Sequence, residues 1–192
     1  MSRRTFATIV ALAAVALLVS VTLAALNTDV RNNTLPLMDT AIIREQAAAK
    51  HLDPALIAAV IYAESKFEPR RSSAGAEGLM QILPATAYYL AHLSGGSRFT
   101  ASDLARPQIN VAYGSYYLRY LLDHYEGDEM LAVAAYNGGL ANVDRWVAKA
   151  QDAGGRLTIG EIPFPETREY VSRVLAAQQQ YRESYPRELG LQ

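Results

Sequence analysis

Residues 53–69 read DPALIAAVIYAESKFEP, and this stretch decides the fold class. Asp53 offers a side-chain oxygen to the free N–H groups of a first helical turn, and Pro54 takes the first helical position, where a missing N–H costs nothing. Leu56, Ile57, Val60 and Ile61 then recur at helical spacing and predict a core-facing side on a helix running to about Ser65, with Pro69 beyond its end. Glu64 follows Val60 by four positions and Ile57 by seven, which puts a carboxyl group at the inner edge of that apolar face, close to the helix C-terminus. Burial disfavours the charged carboxylate, and the negative end of the helix dipole pushes the same way. The position therefore suits a neutral acid with a proton to give. It equally suits a core-edge glutamate paired with Arg70 or Arg71.

Outward from this stretch the pattern stays helical. Start and stop signals predict helices over about 39–50, from about Leu79 through Pro84 to just before Ser94, over 109–125, from an Asp128 cap to Tyr136, from Asn142 to Ala150, and over 166–184. No sustained period-two alternation, hairpin signal or internal repeat is present. The expectation is one all-α domain over 37–185, with 186–192 as a C-terminal tail.

Upstream, Arg3 and Arg4 precede an uncharged, mostly apolar run over residues 6–26. At about 1.5 Å per residue the run is long enough to cross a hydrocarbon layer, and the basic flank favours a cytoplasmic N-terminus. Residues 1–26 thus read as a signal peptide or signal anchor in the cytoplasmic membrane, with Ala24 and Ala25 near a possible cleavage point and SRRTF partly resembling a twin-arginine signal. The polar segment NTDVRNNTLP, residues 27–36, reads as a linker, and the domain beyond it is expected outside the cytoplasm.

Composition removes several classes of function. The 192-residue chain has a formal net charge of −1 and a pI near 6.3, without the basic excess of nucleic-acid binders. It has no cysteine, so disulfides, thiolate metal sites and cysteine nucleophiles are excluded, and its three histidines lack metal-ligand spacing. No metal, no cofactor and no nucleic acid is expected, and the domain is expected to be a monomer.

Two further motifs can carry chemistry. In GAEGLMQ, residues 75–81, two glycines bracket a tight turn that lets backbone approach a ligand, and Gln81 can donate and accept at once. In AYNGG, residues 135–139, an aromatic and an amide stand at a helix end. An ordinary glycine-rich loop and an ordinary helix terminator remain open as readings of the two. Tyr113, Tyr116, Tyr117 and Tyr120 read as part of a packed helix.

Taken in order, AESKFEP, SSAGAEGLMQILPATA, DLARPQINVAYGSYYL, AVAAYNGG and IPFPETREYV resemble the soluble lytic transglycosylase (SLT) domain family over residues 37–185. The resemblance implies a lysozyme-like all-α fold that binds peptidoglycan glycan strands. It implies Glu64, followed by Ser65, as the catalytic group. It further implies a glycine turn carrying Ser73, Gly75, Gly78 and Leu79, with Met80 and Gln81 lining the cleft. Tyr117, Tyr136, Asn137 and Tyr170 are implied to meet substrate, the Tyr136 hydroxyl close to the catalytic carboxyl, while Glu161 is a supporting acid. Two departures stand out: Leu83 where methionine is frequent, and GGLANV in place of an Ala-Gly-Pro-Gly pattern.

The activity so implied is cleavage of the MurNAc-β-1,4-GlcNAc bond without water, leaving 1,6-anhydro ends, since no second carboxylate of a hydrolase pair is evident. The alternatives are a lysozyme-type hydrolase using Glu68, Glu77, Glu161 or Glu166, and a non-catalytic peptidoglycan-binding module of an envelope assembly.

Overall fold

Asp53 caps its helix as expected, accepting a hydrogen bond from the Ala55 N–H at 2.9 Å. The helix, Pro54–Ser65, is nevertheless buried differently from the expectation. Leu56, Ile57, Val60 and Ile61 are all buried, but so are Ala55, Ala58 and Ala59, so the segment has no polar side and runs through the middle of the domain. These three buried alanines let neighbouring backbones come close, and each large apolar side chain the helix buries is worth about 1.5–3 kcal/mol.

The computed structural model describes residues 19, 20, 34–95 and 98–191. The chain divides into two units, Met1–Thr34 and Leu35–Gln192. In the first unit Val19 and Ser20 are helical; the rest of the apolar run over 6–26 lies outside the described residues. Among the described residues no helix is long and apolar enough to cross a membrane.

The second unit is helical in the order α1 Thr40–Lys50, α2 Pro54–Ser65, α3 Pro84–Leu93, α4 Pro107–His124, α5 Glu129–Gly138, α6 Leu140–Asp152, α7 Pro165–Ser184 and α8 Pro186–Leu189. Short 3-10 turns at Ala101–Ala105 and Ile159–Glu161 precede α4 and α7. Between α2 and α3, two strands of two residues, β1 Arg70–Arg71 and β2 Glu77–Gly78, pair antiparallel with Arg70 opposite Gly78. The core lies where α7 packs along α2, with α4 and α5 closing it.

Three boundaries differ from the sequence expectation, each for a local reason. The third helix starts at Pro84 and not at Leu79, because Gly78 and Gln81 take φ of +77° and +46° and Glu77 bridges to Ile82. The helix expected to open at Asn142 begins at Leu140, and Asn142 reaches back from within it to the Gly138 carbonyl at 2.7 Å. Residues 186–189, expected as tail, form a helix that buries Leu189 and takes a hydrogen bond from Arg44 Nη1 to the Glu188 carbonyl. At the other end, Tyr181 and Tyr185 donate to the carbonyls of Pro36 and Leu35.

The end of α2 is held under strain. Lys66 and Phe67 follow it with φ of +55° and +66°, left-handed values that non-glycine residues rarely take. Phe67 is anchored there by burial, its ring edge-on to Tyr181 at 6.3 Å. The last turn of α2, with Glu64 on it, is thereby fixed against α7.

Candidate active site

Glu64 projects from that last turn toward α7, and the Tyr170 hydroxyl donates a hydrogen bond to Glu64 Oε1 at 2.7 Å. Tyr170 is itself buried, so the carboxyl has a fixed partner. Burial pushes Glu64 up to about 7, and the charge of Glu166 pushes in the same direction; the Tyr170 hydroxyl and the guanidinium groups of Arg173 and Arg70 oppose them. An acid in this state holds its proton near neutrality and can take it back. The ion pair that a purely structural glutamate would need is missing among the described residues: Arg71 is engaged by Glu77 at 3.2 Å, and Arg70 donates to the Glu64 backbone carbonyl, not to its carboxyl.

The glycine turn stands beside it. Tyr136 donates to the Met80 carbonyl at 2.9 Å, and its phenol is pushed well above its ordinary range by burial and by the nearby charge of Glu64. The tyrosine hydroxyl on the carboxyl is therefore that of Tyr170, and that of Tyr136 braces the turn. Gln81 spans the turn, donating to the carbonyls of Arg70 and Gly78 at 2.8 Å each. Gly75 needs its φ of +82° only for the turn at Ser72, whose hydroxyl accepts from Ala76 N–H. Ser73 is exposed at the tip, while Ser65 is buried and donates back to the Ile61 carbonyl. Met80 does not line a surface. Its side chain is entirely buried, in the space left by the missing Cβ of Gly114, and the exposed apolar residue of this segment is Leu83.

The remaining expected residues fall on two sides. Tyr117 lies 5.3 Å from the Tyr136 ring and continues through Tyr120 to Tyr89, whose hydroxyls meet at 3.2 Å. Tyr117, Tyr120, Tyr89, Ala85, Thr86 and Leu140 line a hollow of about 340 Å³. Asn137 accepts from the Thr167 hydroxyl at 2.8 Å and, with Glu166 and Phe164, lines another of about 300 Å³. Glu161 is turned away, accepting from the Thr158 N–H and hydroxyl in a capping box; its support is to the 3-10 turn ahead of α7. A hollow of about 820 Å³ around His124, Asp144 and Arg156 contains none of these residues.

These contacts sit in a chain whose residues 41–159 match the Transglycosylase SLT domain family. The chain belongs to that family. It is 31% identical over 153 residues to the soluble lytic murein transglycosylase of Escherichia coli, covering 77% of this chain and 23% of that protein. It is 31% identical over 163 residues to membrane-bound lytic murein transglycosylase C of Cronobacter sakazakii, covering 73% and 45%. The structure of an inactive mutant of the lytic transglycosylase Slt from Pseudomonas aeruginosa superposes with a TM-score of 0.70 at 32% identity, covering 78% of this chain and 24% of that one. The chain thus spans less than half the length of each of these relatives.

The SLT domain has the lysozyme-like, all-α architecture that its motifs imply. Two of its supporting residues escape a reading by motif. Asn110 is fully buried in α4 and uses its whole amide: Oδ1 accepts from the Met80 N–H at 2.8 Å, and Nδ2 donates to the Glu77 and Leu104 carbonyls at 2.7 and 3.0 Å. It fastens the glycine turn to the domain. Its one signal in the sequence is an amide between Ile109 and Val111, a polar group in an apolar run. Thr167 is the other, buried beneath Asn137.

After burial, the Tyr170 hydroxyl is the next influence on the ionisation of Glu64, and its removal gives a test of the site. A hydroxyl that donates to the carboxylate stabilises the charged form, so Tyr170→Phe raises the ionisation of Glu64 further. The expected result is a move of the alkaline limb of kcat/KM to higher pH by about one unit, with kcat lower by about tenfold as the carboxyl loses its anchor. A pH–rate profile whose alkaline limb stays or moves down would contradict this role.

Proposed function

We propose that this chain is an extracytoplasmic lytic transglycosylase that cleaves the MurNAc-β-1,4-GlcNAc bond of peptidoglycan and leaves 1,6-anhydro-N-acetylmuramyl ends. The observation that carries the proposal is the carboxyl of Glu64, raised to about 7 by burial and held, among the described residues, by the hydroxyl of Tyr170. Of the candidate second acids, Glu77 is paired with Arg71 and Glu161 is spent on Thr158. A carboxyl alone and near neutrality can protonate the glycosidic oxygen as the bond breaks through an oxocarbenium-like state. The substrate's N-acetyl group supports the positive centre, and Glu64, now a base, takes the proton of the C6 hydroxyl as that oxygen closes the anhydro ring. Bond broken and bond formed balance with no water consumed. The turn held by Gln81, Met80 and Tyr136, the Tyr117 hollow and Asn137 form the walls against which the sugars lie.

A hydrolase is the second reading, favoured by one fact: the charge of Glu166 reaches Glu64. Residues 1–26 tether the domain to the cytoplasmic membrane as a monomer, in keeping with Arg3, Arg4 and the apolar run. One experiment tests both site and place. Membranes and soluble extract from cells expressing the full chain are incubated with purified sacculi, and the released muropeptides are weighed by mass spectrometry. Anhydro ends released by the membrane fraction are expected. Ends heavier by one water would establish the hydrolase reading, and activity confined to the soluble extract would remove the tether.

A further inference from the structure

Two guanidinium groups stand beside Glu64 without a part in the reaction just proposed. Arg70 Nη2 lies 3.3 Å from the Glu64 backbone carbonyl. Arg173 Cζ lies 5.8 Å from the centre of the Tyr170 ring, whose hydroxyl is 2.7 Å from Glu64 Oε1. They arrive from different elements, Arg70 on β1 and Arg173 on α7, and both are exposed. Among the described residues neither belongs to an ion pair; those pairs engage Arg71, Arg119, His124, Arg156 and Arg182. Each guanidinium carries five N–H donors, so both retain donors for a group outside the chain. Arg70 also lines a hollow of about 220 Å³ with Pro69, Arg71, Glu77, Gly78 and Ala105.

One exposed arginine is an ordinary solvated charge, but two converging on a general acid pose a physical problem. Positive charge favours the ionised carboxyl, so both work against the protonated state that the first step requires. An anion bound to them would cancel that effect. The sugar that must lie against Glu64 is muramic acid, which differs from its neighbour by a lactyl arm that carries or leads to carboxylates.

We propose that Arg70 and Arg173 together bind a carboxylate on the lactyl arm of the muramic acid residue, so that the domain selects carboxylate-bearing strands. This rests on the transglycosylase reading. Fork-shaped guanidinium groups bind carboxylates with directed, charge-assisted hydrogen bonds. Binding then does two things at once: it seats the muramic acid at the cut bond, and it removes from Glu64 the positive field that favours loss of its proton. The carboxylate has two possible sources, the lactyl group itself in strands stripped of peptide, and the stem peptide in strands that bear it.

The test uses the full chain as wild type, as Arg70→Gln, as Arg173→Gln and as both together. Three substrates are used: peptide-bearing strands, strands stripped by an amidase, and stripped strands whose lactyl carboxylates have been converted to amides. At a pH well below the ionisation of Glu64, the double variant is expected to raise KM about tenfold or more on carboxylate-bearing strands, with kcat nearly held. A rise confined to peptide-bearing strands assigns the stem as source, and one confined to stripped strands assigns the lactyl group. An equal rise on amidated strands, or an unchanged KM with only the alkaline limb displaced, overturns the proposal.

Should the double variant fail to fold, the wild-type KM decides: it should climb with salt on carboxylate-bearing strands and stay level on amidated ones, and a level KM on all three overturns the proposal. Return of the low KM in Arg173→Lys would support the role of charge, and unchanged loss there would point to the bidentate fork. The ends released by wild type test the transglycosylase reading separately, since their mass does not depend on the arginines.

Discussion

Glu64→Gln is expected to release no measurable anhydro muropeptides from sacculi, a loss of about 10³- to 10⁴-fold in kcat, while still binding glycan strands. The amide keeps the shape of the side chain and an oxygen to accept from Tyr170, yet it can neither give a proton nor take one. Full activity in this variant would sink the assignment. The same substitution has a second consequence of opposite sign. Glu64 is raised in the folded chain, so the native state holds a proton that the unfolded chain has already lost between the ordinary carboxyl value of 4.5 and about 7. The stability linked to that proton is complete below the lower value and is lost as pH rises through the upper one. Glutamine is neutral at every pH. The variant should therefore match wild type in acid and exceed it by about 2 kcal/mol well above neutrality, allowing for the part of the carboxyl that water reaches. Urea midpoints on both sides of neutrality measure the difference, and a variant less stable than wild type in alkali would show that Glu64 is not buried against its charge.

How much of this was legible in the sequence follows from how local each cause is. Asp53, Pro54 and the apolar residues after them set α2 through contacts within one turn, and Asp128 caps α5 in the same way, through the Leu131 N–H. The start of α3 was not legible, because Pro84 can open a helix or sit in its first turn, and what decides is the backbone of Gly78 and Gln81. The core-facing side of α2 was legible, since Leu56, Ile57, Val60 and Ile61 are all buried, but the burial of Ala55, Ala58 and Ala59 as well was not, because alanine is silent in a hydrophobic pattern. In the site, the ordered motifs placed Glu64, Gln81, Tyr117, Tyr136 and Asn137 together. The resemblance put the Tyr136 hydroxyl close to the carboxyl, but the hydroxyl bonded to it is that of Tyr170, because the two tyrosines come from helices that meet only in the fold. Met80 and Leu83 stand three residues apart in one turn, and the choice of which is buried belongs to Gly114 across the domain.

Gly78→Ala should be among the most damaging single substitutions in the domain, although the motif offers Gly75 as its equal. Both have positive φ, +82° at Gly75 and +77° at Gly78, so an alanine at either position bears about 1–2 kcal/mol of left-handed strain. Their surroundings then separate them. A Cβ on Gly75 meets nothing within 4 Å, whereas one on Gly78 falls 2.3 Å from Asn110 Nδ2 and 2.8 Å from the Leu104 carbonyl oxygen. Neither contact can relax cheaply. The Leu104 carbonyl is backbone, and Asn110 is held by the same three hydrogen bonds that fasten the turn. Displacing it leaves the Met80 N–H and the Glu77 carbonyl without their partners inside the core, which adds about 1–3 kcal/mol for each group left unsatisfied. Gly78→Ala is thus expected to lose about 4 kcal/mol or more of stability and most of the activity, because Gln81 and the carbonyl that Tyr136 braces move with the turn. Gly75→Ala should lose about 1 kcal/mol and retain most of the turnover. Thermal unfolding of the two variants beside a sacculus-release assay makes the comparison, and equal losses would mean that the turn is set by its own backbone and not by Asn110 beneath it.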